Sequence, residues 1–176
     1  LYYYDRQAWG DDNRSLYFTD KGWAGGKVFA YWQDPVRQFL IDNTLFFLGE
    51  YRADGIRYDE VTVIHEHGGD RFCRDLTATV RHVKPEAVQI AEYWNWDRAF
   101  PVTPAPEGLG FDAALGDRLR DALRSVLAEA AGGRDAHVRL DRVAEALLPP
   151  PGFPAAWRVV QCLENHDVVR WDYDAH

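Results

Sequence analysis

The 176-residue sequence predicts an α/β fold in which parallel strands are joined by helices that lie outside the sheet. Short apolar runs of strand length alternate along the chain with longer amphipathic segments of helix length. This alternation is typical of parallel strands connected by right-handed crossovers. Acidic and other polar residues collect just after the strands, which is where α/β folds place their active sites.

The first third of the chain predicts a loop, a short strand and a helix. Residues 1–33 are rich in Tyr, Trp, Gly and Asp and predict a long ordered loop that ends in a strand at 28–32. Asp34-Pro35 predicts a helix over 34–51, with Asp34 as its N-cap. Its expected inner stripe consists of Val36, Phe39, Leu40, Asn43, Phe46 and Phe47.

The next segment predicts a strand over 53–61 that ends in a carboxylate. Gly55 lets the backbone pass close to its neighbours, and Arg57 shares a face with Asp59 because strand side chains alternate. A loop with His65 and His67 follows, and a helix begins at its expected N-cap, Asp70. The expected inner residues of that helix are Cys73, Leu76, Val80 and Val83.

The remaining segments repeat the strand and helix alternation. A strand is predicted at 87–92, and after a proline-rich loop a brief strand is predicted at 109–111. A helix over 113–131 follows, with Leu115, Leu119, Leu123, Val126 and Leu127 expected inward. A short helix at 140–148 ends at three prolines, and a strand is predicted at 156–163.

Composition narrows the functional classes. The net charge of -8 argues against nucleic acid and against an anionic membrane surface as partners, since both are bound through clustered Lys and Arg. No apolar run is long enough to span a bilayer. The only cysteines, Cys73 and Cys162, have no metal-site spacing, and buried free thiols are expected. The compartment is not determined, with the cytoplasm favoured.

Three predicted strands are each followed by an acid: Asp59, Glu92 and Asp167. Two carboxylates that flank one bond are sufficient for glycoside chemistry, and a third can stabilise positive charge on the sugar ring. His166 is a neutral donor suited to a sugar hydroxyl. Any one of these acids is equally explained as a helix N-cap or as part of a salt-bridged strand end, so the set of three carries the prediction.

Three stretches, Asp54-Gly55-Ile56-Arg57-Tyr58-Asp59, Ala91-Glu92 and Asn165-His166-Asp167, resemble three of the four signature regions of the alpha-amylase family of glycoside hydrolases (family 13). The segment 108–112 resembles that of 1,4-alpha-glucan branching enzymes and maltooligosyltrehalose trehalohydrolases. The resemblance implies a partial (β/α)₈ TIM barrel, from roughly the third or fourth strand unit to the seventh.

The resemblance also implies roles for individual residues. Asp59 is the expected nucleophile, Glu92 the general acid/base and Asp167 the transition-state stabiliser. The expected substrate-binding residues are Arg57, His166, Asn165, Tyr93 and Trp94. Sugar stacking and packing at the barrel mouth remain equal alternatives for the two aromatic residues. No cofactor and no metal ligand are expected in this chain, although calcium is possible in the complete enzyme.

The implied function is that of a retaining glycosidase or transglycosidase that acts on α-1,4-glucans such as glycogen or starch through a covalent glycosyl-enzyme. A branching-enzyme-like activity is favoured, and an alpha-amylase or trehalohydrolase-type hydrolase is the alternative. Asn165 is common in hydrolases, where branching enzymes more often carry Ser. A different class, a catalytically inactive amylase-like scaffold for binding, is weakened because Asp59 and Glu92 are both present.

Residues 1–176 are expected to be a fragment of a single catalytic barrel domain whose N-terminal and C-terminal parts lie outside the sequence, because the first signature region is absent. The isolated fragment is expected to be inactive. His65 and His67 are expected at a loop or substrate rim rather than on a metal. The remaining expectations are solvated charges at Asp11, Asp12 and Asp20 and packing roles for Trp9, Trp23 and Trp32.

Overall fold

The fold was obtained as a computed structural model, which describes residues 15–167. The predictions for Trp9, Asp11 and Asp12 lie outside the described residues. In chain order the elements are β1 (Phe18–Trp23), β2 (Gly26–Phe29), α1 (Asp34–Gly49), β3 (Gly55–Tyr58), α2 (Val61–Glu66), α3 (Asp70–Val83), β4 (Val88–Ala91), β5 (Ala113–Gly116), α4 (Arg118–Ala130), α5 (Asp141–Ala146) and β6 (Val159–Gln161).

The centre of the structure is a four-stranded parallel sheet with the order β3-β4-β5-β6. Helices connect β3 to β4 and β5 to β6, and the long connection from β4 to β5 contains a 3-10 turn at Phe100–Val102. The predicted α/β class with parallel strands and connecting helices is therefore confirmed. Within the described part of the chain, β3 and β6 are the edge strands of this sheet.

The register of β3 and β4 places Asp59 and Glu92 at the same height along the two strands. Tyr58 pairs with Ala91, and the amide of Glu92 donates to the carbonyl of Tyr58 at 3.0 Å. Asp59 and Glu92 each follow the last residue of their strand. The carboxyl ends of β3 and β4 therefore present their acids side by side.

The core fills the space between the sheet and helices α1 and α3. Leu76 and Val80 of α3 are buried there, as are Leu109 and Phe111. The side-chain amide of the buried Gln89 donates to the main-chain carbonyl of Thr77 at 3.1 Å, which links β4 to α3. These contacts hold the sheet, whose strand ends carry the acids, against α3.

Gly55 allows the close approach that the sequence predicted. A Cβ at this position would lie 2.4 Å from the carbonyl oxygen of Val88, its partner across the β3–β4 pair. No side chain fits at that distance, so a glycine is required where β3 begins.

The N-terminal part differs from the prediction. A hairpin of β1 and β2 replaces the expected long loop, and β2 ends before the predicted strand at 28–32 does. The hairpin is antiparallel and separate from the main sheet. Trp23 and Trp32 are 52% and 66% exposed, so the expected packing role is wrong for both in the described structure.

Helices α1 and α3 occur where predicted, but both predicted caps are wrong. Asp34 and Asp70 are the first helical residues, and the N-cap positions belong to Gln33 and Gly69. In α3, Val83 is exposed instead of inward, whereas the other three predicted residues are buried. An acid in the first turn still interacts favourably with the helix dipole.

The predicted inner face of α1 is largely wrong. The buried residues are Val36, Arg37, Ile41, Thr44 and Leu48, while Phe39, Phe46 and Phe47 are exposed. The guanidinium of Arg37 donates to the carbonyl of Tyr31 at 2.8 Å and pairs with Asp34, which satisfies its charge inside the protein.

Two further elements differ from the prediction. A six-residue helix, α2, forms where a loop was expected after Asp59. The strand predicted at 109–111 is instead β5, at Ala113–Gly116, and the following helix α4 begins only at Arg118. Of the residues expected inward on α4, Val126 is buried and Leu127 is 67% exposed.

The last predicted elements are shorter than expected. The helix at 140–148 is α5, and the strand at 156–163 is β6, preceded by a 3-10 turn at Ala156–Arg158. Cys73 is buried and Cys162 is half-buried, and both are free thiols. Among residues 15–167, none of the helices has the length and apolar character needed to cross a bilayer.

Candidate active site

One guanidinium, that of Arg57, contacts all three strand-terminal carboxylates. Its Nη1 donates to Asp59 Oδ1. Its Nη2 lies 2.9 Å from Glu92 Oε1 and 3.7 Å from Asp167 Oδ2. Three carboxylates this close would repel one another, and the positive charge among them offsets that repulsion. The described structure therefore brings the three predicted acids into one cluster.

The two acids next to Arg57 have very different environments. The side chain of Asp59 is 74% exposed, whereas that of Glu92 is 6% exposed. A buried carboxylate needs hydrogen-bond partners. The main-chain amide of Glu60 donates a hydrogen bond to Glu92 Oε2 at 2.9 Å, and Arg57 forms an ion pair with Oε1. Asp59 is thus accessible to a substrate, and Glu92 is held in one orientation beside it.

Asp167 enters the cluster from the segment that follows β6. Its amide donates to Asn165 Oδ1 at 2.9 Å, and its Oδ2 lies 3.2 Å from Nε2 of His166. The side chain of His166 is 77% exposed. The third acid and the two predicted polar residues beside it therefore occupy one turn at the edge of the cluster.

The two aromatic residues after Glu92 separate into different environments. Tyr93 is 2% exposed and packs against His65 and Phe100, with ring centroids 5.8 and 6.1 Å away. Tyr93 was predicted to bind substrate, but in the structure its ring is buried against these two residues. Trp94 is half-buried, with the guanidinium of Arg98 at 4.6 Å over its ring. Trp94 and Asn165 line the same cavity, of about 220 Å³.

Curated relatives match about half of the chain. It is 35% identical to the 1,4-alpha-glucan branching enzyme of Corynebacterium efficiens over 114 residues, which are 52% of this chain and 15% of the relative. It is also 35% identical to the branching enzyme of Myxococcus xanthus over 111 residues, or 50% of this chain and 15% of the relative. The chain spans about 15% of the length of these relatives. No family model matches it.

Solved structures share the fold over almost the whole chain. The alpha-amylase of Geobacillus thermoleovorans in complex with acarbose aligns with a TM-score of 0.62 at 24% identity, covering 90% of this chain and 32% of that one. The debranching enzyme of Nostoc punctiforme aligns with a TM-score of 0.59 at 19% identity, covering 99% of this chain and 42% of that one.

The chain resembles the alpha-amylase family in sequence and in fold. The branching-enzyme relatives and the amylase fold support this together with the cluster at the strand ends. The predicted partial (β/α)₈ barrel is confirmed as the fold class, since four parallel strands and their helices align with amylase barrels.

The two histidines after Asp59 lie in helix α2 and at its C-terminal end. His65 lies within α2, and its Nδ1 is 2.6 Å from Asp70 Oδ1. Its ring also packs 4.8 Å from that of Phe100. His67 is the C-cap of α2. Across the described range 15–167, no three His, Cys, Asp or Glu residues are arranged to hold a metal ion. Asp20 is exposed and lies 4.0 Å from Lys21.

A second cavity, of about 690 Å³, lies along β3 and α1. Arg57, Asp59 and Glu60 line it, and most of the other lining residues are apolar or aromatic. The cluster residues Arg57 and Asp59 line this larger cavity, whereas the smaller one is lined by Trp94 and Asn165.

Sequence reasoning did not find the role of Glu60. The residue follows Asp59 directly, and its main-chain amide binds Glu92. Burial, followed by the nearby carboxylates of Glu92 and Asp59, raises the pKa of Glu60. The only signal in the sequence was a second acid after Asp59, and an acid side chain does not indicate a main-chain contact.

Proposed function

We propose that the chain carries the catalytic carboxylates of a retaining enzyme that acts on α-1,4-linked glucans, most closely like a 1,4-alpha-glucan branching enzyme. One observation carries the proposal: a single guanidinium, Arg57, contacts Asp59, Glu92 and Asp167 at the ends of different strand segments. The names of the relatives support the substrate class, since they are 1,4-alpha-glucan branching enzymes.

In the first step, an oxygen of Asp59 attacks the anomeric carbon while the glycosidic C–O bond breaks. Glu92 gives its proton to the leaving oxygen. The exposure of Asp59 and the buried, doubly held position of Glu92 suit these two roles. Arg57 donates a hydrogen bond to Asp59 and so orients its carboxylate for the attack.

In the second step, an acceptor hydroxyl attacks the anomeric carbon of the glycosyl-enzyme. Glu92 takes the acceptor's proton, and the ester bond to Asp59 breaks, which restores both residues. The carboxylate of Asp167 stabilises the positive charge that develops on the ring in each transition state. His166 and Asn165 are proposed to bind sugar hydroxyls, and Trp94 is proposed to stack on a glucosyl ring.

Hydrolysis by an amylase or trehalohydrolase-type enzyme is the second candidate. It differs only in that water, rather than a glucan hydroxyl, attacks the intermediate. Asn165 beside His166 favours it, because that residue is common in hydrolases. An inactive binding scaffold is the candidate from a different class.

Product analysis of amylose treated with the complete polypeptide distinguishes these candidates. Branch transfer predicts new α-1,6 linkages, and hydrolysis predicts reducing ends alone. Asp59→Asn removes the nucleophile, and we expect activity to fall by about 10⁴-fold or more. Asp20→Asn, an exposed acid of the N-terminal hairpin, is the matched control and should retain activity. Amylose binding without turnover by the unaltered polypeptide would favour the scaffold.

We also propose that the chain is the middle part of a longer barrel. The two edge strands of the parallel sheet and the 32% coverage of an aligned amylase support this. A cytoplasmic location is proposed as well, supported by the free thiols of Cys73 and Cys162, because disulfides are rare in reducing compartments. Cell fractionation tests the location.

A further inference from the structure

A short turn joins the carboxyl ends of β3 and β4 through three hydrogen bonds. The amide of Glu60 donates to Glu92 Oε2 at 2.9 Å, and the amide of Val61 donates to the carbonyl of Glu92 at 2.9 Å. The amide of Trp94 donates to Thr62 Oγ1 at 2.8 Å. Residues 60–62 therefore hold the main chain at Glu92 and just after it, and also one of its carboxylate oxygens.

Glu60 makes this turn in the left-handed region, with φ 45° and ψ 47°. L-residues with a β-carbon adopt this conformation at a cost, and the surrounding structure must hold them there. It lets the chain leave β3 and enter α2 at the next residue. The carbonyl of Glu60 accepts from the amides of Val63 and Ile64 at 2.9 and 3.2 Å, so α2 fixes the turn from its other side.

We propose that Glu60 is a positioning residue for Glu92, acting through its left-handed backbone and not through its carboxyl group. Its amide holds Oε2 while Arg57 holds Oε1, so the carboxyl keeps one orientation while it gives and takes a proton. Each oxygen retains a second lone-pair position for that transfer. The inference rests on the proposed role of Glu92 as acid/base.

Three substitutions separate the backbone of Glu60 from its side chain. Gly and Asn both tolerate the left-handed region, and neither carries a carboxylate. Val also lacks the carboxylate, but its β-branched side chain strongly disfavours that region. Glu60→Gly and Glu60→Asn should therefore keep the main-chain amide of residue 60 directed at Glu92 Oε2, whereas Glu60→Val should displace it.

The test uses two substrates and the complete polypeptide that contains this chain. A maltooligosaccharide needs protonation of its leaving oxygen, whereas α-maltosyl fluoride loses fluoride without help from an acid. We expect Glu60→Val to lower kcat/KM on the oligosaccharide by about 10- to 100-fold, the effect of one hydrogen bond to a charged group. The same variant should change kcat/KM on the fluoride by no more than about twofold, because kcat/KM reports only the steps up to fluoride release and not the later proton removal by Glu92.

Glu60→Gly and Glu60→Asn should stay within about twofold of the unaltered enzyme on both substrates. Thr62→Val removes the acceptor for the Trp94 amide and provides a milder break in the same turn. We expect it to show the same selectivity, with about a two- to tenfold loss on the oligosaccharide alone. If Glu60→Val does not unfold cooperatively and is therefore misfolded, Thr62→Val provides the test in its place.

Several results would overturn the inference. Equal losses on both substrates in Glu60→Val and Thr62→Val would assign the turn a structural role only. Losses in the Gly and Asn variants as large as in the Val variant would assign the effect to the carboxyl group. An unaltered enzyme that cleaves neither substrate would refute the proposed function, and the role of Glu60 falls with it.

Discussion

Arg57 illustrates what a single residue contributes beyond its pattern in the sequence. Alternation along a strand is sufficient to predict that Arg57 faces Asp59, and the two are hydrogen-bonded. The same guanidinium also contacts Glu92 and Asp167, which come from distant parts of the chain. Its charge therefore offsets a cluster of acids that would otherwise repel one another, which is why a cation is needed at this position.

Glu60 gives a pH-dependent prediction at the same scale. Burial and the neighbouring carboxylates raise its pKa above the ordinary value of 4.5, so the folded chain binds this proton more tightly than the unfolded chain. Its contribution to stability is therefore greatest below that value and declines as pH rises through the raised pKa. In Glu60→Gln the titrating group is absent, so this decline in stability with rising pH is absent as well.

We expect the melting temperature of Glu60→Gln, measured relative to the unaltered polypeptide, to increase as pH rises from about 4 to about 7. Glu86→Gln, at an exposed position between α3 and β4, is the matched control for the removal of one carboxylate. A constant difference for Glu60→Gln would contradict the raised pKa.

At the scale of elements, the helix α1 shows why an apolar stripe alone is insufficient. The phenylalanines that define the predicted stripe are exposed, and Phe46 and Phe47 pack against each other and against Tyr51 at centroid distances of 5.4–6.0 Å. The inner face instead includes Arg37, because carbonyl and carboxylate partners satisfy its guanidinium. Those partners lie on the segment before α1 and in its first turn.

Strand β5 and helix α2 were misplaced or missed for different reasons. Ala113–Gly116 is made of residues without β propensity, and its pairing with β4 and β6 overrides the local preference. Helix α2 begins after a left-handed residue that provides no side-chain cap, so no start signal precedes it.

The pairing of β3 with β4 gives a prediction at the element scale. Gly55→Ala places a methyl group 2.4 Å from the carbonyl oxygen of Val88, so the strands must separate at that point. We expect a loss of stability of about 1–3 kcal/mol, measured by urea denaturation. Gly49→Ala is the control, since its added methyl meets nothing within 4 Å and lies in helix α1. Equal stability of the two variants would show that β3 tolerates the methyl.

At the scale of the whole molecule, the described sheet has two edges, and the larger cavity runs along one of them. β3 and β6 each lack a partner on one side among residues 15–167. The 690 Å³ cavity beside β3 is lined largely by apolar residues. Unpaired strands and exposed apolar surface are unfavourable in water, and a longer barrel would cover both.

We therefore expect the isolated 176-residue chain to lack activity on amylose and to unfold with low cooperativity in calorimetry. Hydrogen exchange should be faster in β3 and β6 than in β4 and β5, which have partners on both sides. The complete polypeptide should reverse all three properties. A cooperative melt together with amylose cleavage by the isolated chain would refute the proposal that it is part of a larger barrel.

The sequence by itself determined the alternation of strands and helices and the acids that end three strand segments, because periodicity and local motifs are encoded over a few residues. Only the tertiary structure decided which face of α1 is buried, where β5 pairs, and that one guanidinium and one left-handed turn hold the acids together. These features depend on partners far along the chain, and no local pattern specifies such partners.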